Sequence, residues 1–436
     1  MSEKLVEVQI DRIVGPTHHF GGLGVGNVAS KKNEGSFSNP KKAAMQGLDK
    51  MRMVAQYGVP QLVLPPQPRP NKQFLRSIGY DLDDESTLAN LASESPRVLS
   101  AAMSSSAMWT ANAATVAASV DGGHDCVTLT VANLSSSMHR AIESPQTLAD
   151  LWQSLPHSVL MLDPLLGGAM MRDEGAANHM RLGTDQAMPG IHIFVYGDQD
   201  PTPKSFWPRQ TRASCKAIAR LHRLPPQNTF YLKQHPDAID AGAFHNDVVA
   251  ASHHDLLLHH ELAFYEAKEQ LEQIKTRYRA INDRELTHVE VKTSELSIDD
   301  AINTYLFNSQ IISPPNANQP TIICPAQVQE NAAAKQIVDD WCSKGLFQKA
   351  HFLDLRQSMS GGGGPACLRL RLPLTETELG SIPFPNRWTD DLDKSLRQVI
   401  ETHYPDSVSF DNLSSTELIK QANQAEQKLR GLLGHR

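Results

Sequence analysis

The chain has 436 residues, 40% hydrophobic and 20% charged, which are the proportions of a globular protein with room for one large core or two to three ordinary domains. A net charge of −7 argues against the basic patch or stripe that nucleic-acid binding needs. The five cysteines (Cys126, Cys215, Cys324, Cys342 and Cys367) are odd in number and hold no CxxC pair, so they fit a reducing compartment better than a disulfide framework.

The N-terminal Met1-Ser-Glu-Lys-Leu-Val-Glu-Val lacks the basic and long apolar regions of a signal peptide. No apolar run approaches the roughly 18 residues that span a bilayer. A cytoplasmic protein without membrane contact is expected. Thr17-His18-His19-Phe20-Gly21-Gly22-Leu23-Gly24-Val25-Gly26-Asn27 follows a strand but has neither the GxGxxG spacing of a dinucleotide site nor the Lys-Ser/Thr of a P-loop. It reads as a flexible loop that lies over a ligand or turns a corner.

Asn39-Pro40 is an N-cap followed by proline at the first helical position. Ala44, Leu48, Met51 and Ala55 keep helical spacing up to Gly58, and the strand Leu62-Val63-Leu64 follows. Trp109-Thr-Ala-Asn112-Ala-Ala-Thr115 and His139-Arg140 set polar groups beside small residues, which suits a pocket wall or a tight core. Val127–Val131 reads as a strand. Ser144-Pro145 opens a second helix to about Leu155, before the strand Val159–Leu162. After Gly167-Gly168, the segment Met171–Arg181 packs Asp173, Glu174, Asn178 and two arginines together. Such a mix is a solvated loop, or else Glu174 orients a histidine or clamps a cation.

Ile193–Tyr196 reads as a strand. Pro208 opens a third helix that ends before Pro225-Pro226, followed by Phe230–Leu232. Ala243–Ala250 is strand-like, which would put His245 and Asp247 on one face about 7 Å apart. A histidine beside a carboxylate is a natural proton carrier. His253, His254, His259 and His260 match no metal-ligand spacing and are assigned to the surface, so no metal is expected. The stripe Phe264, Ala267, Leu271, Ile274 and Tyr278 predicts a helix over Glu261–Arg279, read as an insertion near 256–281. A fourth helix runs from about Asn331 to Lys344, before Phe352–Leu355. A fifth runs from Trp388 to Pro405, before Val408–Phe410. Five helix–strand units predict one five-fold, pseudo-repeated α/β architecture over 1–436, with a doubly wound sheet or an α/β barrel as alternatives.

The most informative segment is Gly361-Gly-Gly-Gly-Pro365-Ala366-Cys367 running into Leu368-Arg-Leu-Arg-Leu-Pro-Leu374. Four glycines allow close approach of a ligand. Period two puts Leu368, Leu370, Leu372 and Leu374 on one face, and Cys367, Arg369 and Arg371 on the other. A thiol beside guanidinium groups is one whose thiolate is stabilised. The plain alternative is a Gly-rich turn with an incidental buried cysteine.

These segments together carry a resemblance. Gly15-Pro-Thr-His-His, Gly26-Asn-Val-Ala-Ser, Met108-Trp-Thr-Ala-Asn-Ala-Ala-Thr, Arg172-Asp-Glu-Gly-Ala-Ala-Asn-His, Phe244-His-Asn-Asp-Val and the Cys367 segment resemble the N-succinylarginine dihydrolases over essentially the whole chain. Those belong to the guanidino-group-modifying superfamily, with arginine deiminase and the amidinotransferases. The resemblance implies a five-bladed, pseudo-symmetric α/β propeller (pentein-like) of ββαβ modules with a central active site, no cofactor and a homodimer. It makes Cys367 the nucleophile, His245 the general acid/base and Glu174 the third catalytic residue, with Asp247 holding the guanidinium. Gly21, Gly22, Leu23, Gly24, Val25, Gly26, Asn27, Val28, Ala29 and Ser30 would line the substrate pocket with Asn112, His139, Arg140 and Arg209. Gly361 stands where the family usually has an asparagine, so one side-chain contact to substrate is lost or replaced.

The reaction implied takes N-succinyl-L-arginine and two waters to N-succinyl-L-ornithine, two ammonia and carbon dioxide through covalent thiouronium chemistry. A single-step deiminase or amidinotransferase would use the same residues. Arg140, Arg209, His18 and His19 are candidate cations for the succinyl end.

Overall fold

Alternation along Arg369–Thr375 decides where the end of the chain goes. Leu370, Leu372 and Leu374 are buried on one face, and their strand pairs antiparallel with Leu5–Arg12 from Leu5↔Thr375 to Asp11↔Arg369. Leu5–Arg12 in turn pairs parallel with Gln61–Leu64, so the last strand completes the first sheet. The structure is a computed structural model that describes residues 5–435 apart from Glu85, Gln186 and Asn316. The start of the segment read for a signal peptide and both ends of the expected 1–436 unit lie outside the described residues.

Five three-stranded sheets repeat this pattern. In chain order the other four are 114–117, 128–131 and 160–162; 179–182, 191–196 and 229–233; 250–253, 256–260 and 287–291; 310–312, 321–325 and 349–353. In each, the first strand runs antiparallel to the middle one, and the middle strand runs parallel to the third. A parallel pair cannot be closed by a hairpin, so a helix crosses over. Those helices are Pro40–Gln56, Ser144–Ser154, Arg212–Leu221, Lys268–Asn282 and, after a short turn of helix, Ala332–Ser343.

Helix starts follow local capping. Asn39 accepts from the Lys42 N–H with Pro40 next in the chain, and Asn331 accepts from Ala334 N–H. The third helix starts at Arg212, not at Pro208, because Thr211 caps it by accepting from Ser214 N–H. This leaves Arg209 and Gln210 in a loop that bends toward the centre.

Two expectations about the units need correction. Lys268–Asn282 is no insertion; it is the crossover of the fourth sheet and buries Leu271, Ile274 and Tyr278. Asp390–His403 is not a fifth crossover, since Val408 makes only an isolated bridge to Ser38. It packs instead on Pro40–Gln56 and Thr416–Leu432, with Leu396, Ile400 and Leu429 in one core with Leu48 and Met51. Among the described residues no helix is long and apolar enough to cross a membrane.

Candidate active site

The turn leading into the first strand of each sheet carries a polar or reactive residue. Asn112 ends the 3-10 turn before 114–117, Glu174 precedes the turn before 179–182, and His245 precedes the turn Asn246–Val248 before 250–253. Asn308 lies just before 310–312 and Cys367 just before Arg369–Thr375. Hydrogen bonds link these turns into a closed ring. Asn112 Nδ2 donates to Glu174 O at 3.3 Å, Glu174 Oε2 lies 2.7 Å from His245 Nε2, and Asn308 Nδ2 donates to Asp247 O at 3.2 Å. Cys367 N donates to Asn308 Oδ1 at 3.2 Å, and Ala111 N donates to Cys367 O at 3.0 Å, which returns to the first turn.

The expected strand over Ala243–Ala250 is broken by this turn. His245 and Asp247 are therefore placed by a 3-10 turn and not by two-residue alternation. Cys367 likewise precedes its strand. The nearest charged group to its sulfur is a carboxylate, with the thiol donating to Asp247 Oδ2 at 3.4 Å. Burial, and then the charge of Asp247, push the Cys367 thiol well above its usual range. The expected thiolate stabilised by Arg369 and Arg371 is thus not the resting state. Burial also raises Asp247, to about 7.

Glu174 is fully buried. Burial works to raise its pKa, but Arg140 and His245 overcome this and hold the carboxyl below the usual carboxylate range. Arg140 Nη1 and His245 share Oε2, and Ser136 Oγ donates to Oε1. Gln210 Oε1 accepts from the Glu174 N–H at 2.7 Å and so fixes its backbone. Burial holds His245 down at about 4, against the pull of Glu174. With Glu174 ionised, His245 Nε2 carries the proton it donates, so Nδ1 is left as a lone pair. That atom is buried and has no partner.

A pocket of about 50 Å³ opens onto Cys367 and His245. Gly21, Gly22, Leu23, Gly24, Asn27, Ser30, Asn112, His139, Arg140, Arg209 and Gly361 are on its wall. Of the other expected pocket residues, Val25 contributes its carbonyl to Arg209 Nε at 3.0 Å, and Val28 is an exposed helix residue under Gly242. Gly26 packs near Phe206 and Phe244, and Ala29 accepts from Asn33 at 2.8 Å. Arg209 is buried, lies 4.5 Å over the Phe244 ring, and is lowered by burial only to about 10, so it is charged at neutral pH. Both nitrogens of His19 are taken, by Thr17 O and Ser100 Oγ. Burial depresses His18 to about 3 and His19 to about 4. Neither is a cation at neutral pH, so only the two arginines fit the expected role.

The glycine loop is held by two side chains. Gly362 has φ +103, and a Cβ there would fall 1.7 Å from Asn27 Nδ2, while one at Gly363 would fall 2.2 Å from Trp109 Nε1. A Cβ at Gly361 would meet Trp109 Cζ2 at 3.0 Å, so an asparagine there requires the indole to shift slightly. Phe20 and Gly362, from the two loops read as ligand-facing, also line the pocket, as do Ser104, Ser106 and Phe244, while Asn308 and Gln210 hold its reactive groups; sequence reasoning singled out none of the last five for that role. Their only signal is proximity after folding. His253, His259 and His260 are buried, not at the surface, and Glu7, His253 and His254 come close enough to share an ion. Arg371 Nη1 lies 3.5 Å from His253 Nδ1, however, and its charge opposes a cation there.

The succinylarginine dihydrolase family model matches residues 4–435. Curated N-succinylarginine dihydrolases from Acinetobacter baumannii (strain ACICU) and Serratia proteamaculans (strain 568) are each 42% identical to the chain, over 98% of it and 97% of their own length. Among solved structures, the N-terminal domain of ArgZ, a cyanobacterial arginine dihydrolase bound to product, superposes with a TM-score of 0.54 at 15% identity. The match covers 84% of this chain and 97% of that one. At that identity the likeness is one of fold.

Proposed function

The chain belongs to the succinylarginine dihydrolase family, and on that premise we propose that it hydrolyses N-succinyl-L-arginine with two waters to N-succinyl-L-ornithine, two ammonia and carbon dioxide. The observation that carries this reading is the closed ring of five turns, which brings Cys367 and His245 to one pocket with Glu174 behind His245 and Asp247 behind Cys367. Such a ring is what a five-bladed propeller with a central site would produce, and it supports a single catalytic unit over 1–436. A cytoplasmic homodimer accompanies this reading.

Asp247 and Glu174 accept the N–H fork of the guanidinium and hold its carbon against Cys367. Arrival of that cation also offsets the carboxylate beside the sulfur, so the thiol gives up its proton when substrate is present. His245 Nδ1 takes the proton and the sulfur attacks the guanidinium carbon. The departing nitrogen then receives the proton from His245 and leaves as ammonia. The remaining thiouronium is hydrolysed by water, with His245 Nδ1 as base, to the ureido compound. A second round on the ureido carbon releases the other ammonia and carbon dioxide and leaves the ornithine nitrogen on the product. Arg209, whose hydrogen bonds go to one carbonyl, and Arg140 Nη2, which has no partner, are the cations for the succinyl carboxylates. Free arginine would place an ammonium there and be rejected.

Counting ammonia per N-succinylarginine consumed, with Cys367→Ser as control, tests the reading. Two ammonia, absent in the variant, are expected. One ammonia with a ureido product would make the protein a deiminase.

A further inference from the structure

A second cavity lies behind the wall formed by Asp247 and Ala366 and shares no lining residue with the Cys367 pocket. Its two continuous parts, of about 40 and about 70 Å³, have Arg369, Arg371, His179 and Ala176 in common. The walls come from the first strands of all five sheets, with Val116, Met180, Ala251, Ile311 and Arg371 one from each. Water occupies about 30 Å³ per molecule in the liquid, so the space can hold a few small groups.

The residues lining this cavity carry several donors. Arg369 Nε, Asn246 Nδ2 and Ser252 Oγ are buried without a partner, and Asn246 and Ser252 are only 1% and 5% exposed. Arg371 Nη1 donates to Ser252 O at 3.0 Å, a neutral acceptor. Of the carboxylates nearby, Asp121 pairs with Arg181 and His192, Glu7 accepts from Gln9 Nε2 at 2.6 Å, and Asp11 pairs with Lys50 through one oxygen and keeps the other without a partner among the described residues. Asp247 Oδ1, at the wall shared with Cys367, and His254 Nδ1 are further polar atoms of the lining without a partner among the described residues. Burial, together with the charge of Arg371, keeps His179, His253 and His254 neutral, so the guanidinium is felt across three strands. Buried donors left without acceptors are costly, and an anion would satisfy several at once.

We propose that this cavity is a binding site for a small oxyanion of the bicarbonate class, held by Arg369 and Arg371 with Ser252 and Asn246 as neutral donors. The site follows from the donors; the choice of bicarbonate rests on the proposed reaction, which forms carbon dioxide on the other side of Asp247.

The test is a titration of [13C]bicarbonate with the full chain, reading the carbon line width. Wild type broadens the line, Arg371→Gln weakens binding about tenfold or more by removing a charge-assisted donor, and Ser252→Ala weakens it severalfold. Arg371→Lys, which keeps the cation, restores part of the binding and separates charge from folding. If Arg371→Gln does not fold, Ser252→Ala decides. In Cys367→Ser, saturation with N-succinylarginine leaves the broadening unchanged, because the two cavities are separate. No broadening by wild type, equal broadening by both weakened variants, or loss of broadening on adding N-succinylarginine overturns the proposal. If N-succinylarginine does not bind, the ammonia count reports that separately and the bicarbonate titration stands alone.

Discussion

Asp247 Oδ2 lies 3.4 Å from Cys367 Sγ and accepts a hydrogen bond from the thiol, so the nucleophile is stored in its unreactive form beside a carboxyl group. The arrangement makes activation depend on a cation in the pocket. It predicts opposite effects of Asp247→Asn on two readouts. Loss of the carboxylate lowers the Cys367 pKa, so iodoacetamide should alkylate Cys367 faster at pH 8 than in wild type. Turnover should fall by about 10²-fold or more, since the substrate clamp is gone. Slower alkylation in the variant would show that Asp247 does not suppress the thiolate.

Glu174 serves His245 and Arg140 through one oxygen. Glu174→Gln keeps the shape and removes the charge, which leaves Arg140 without its buried ion-pair partner. Breaking a buried pair in this way costs about 3–5 kcal/mol, read as a lower urea midpoint. His245 loses the partner that raises its pKa, so kcat should drop by about 10²- to 10⁴-fold, the range for general acid–base groups. An unchanged midpoint would mean that Glu174 is not the counter-ion of Arg140.

Sequence reasoning reached the number five without the right five units. Three crossover helices and the one at Ala332–Ser343 are legible because Asn, Pro or, for Arg212–Leu221, Thr211 marks their starts and an apolar strand follows. Lys268–Asn282 is highly charged and has no side-chain cap, which hides its role as a crossover. Asp390–His403 has a strong amphipathic pattern and a Thr389 cap, yet the short Val408-Ser-Phe after it makes only an isolated bridge and joins no sheet. The proposed site residues come from motif resemblance. Asn308 and Gln210 were not legible, because each acts through a contact between turns far apart in sequence.

The glycine loop supplies a prediction about rigidity. Gly362→Ala must adopt φ near +103 and displace Asn27, whose Nδ2 also reaches the Gly361 and Gly362 carbonyls at 3.4 Å. Strain of this kind costs about 1–3 kcal/mol, and relief by moving the loop would shift Cys367. A melting temperature lowered by several degrees and a kcat reduced about tenfold or more are expected, since misplaced reacting atoms forfeit proximity. Retention of both would mean that Asn27 and the loop move freely apart.

Buried histidines should set the acid limit of stability. His18 and His222 are depressed to about 3, and His19, His245 and His288 to about 4, in each case chiefly by burial. An unfolded histidine titrates near 6.5, so between that pH and about 4 the unfolded chain binds protons that the folded chain refuses. Stability is therefore complete above about 6.5 and falls as pH drops through this window. Asp247, raised to about 7, and Asp173, raised to about 6, act in the opposite sense, because their folded forms keep protons that the unfolded chain has lost. Five groups against two give a net loss on acidification. Urea midpoints measured from pH 7.5 to 4.5 should fall steadily below 6.5, and a flat profile would show that these imidazoles are solvated in the native state. His288→Gln, distant from the pocket, should reduce the slope without changing turnover at pH 7.5.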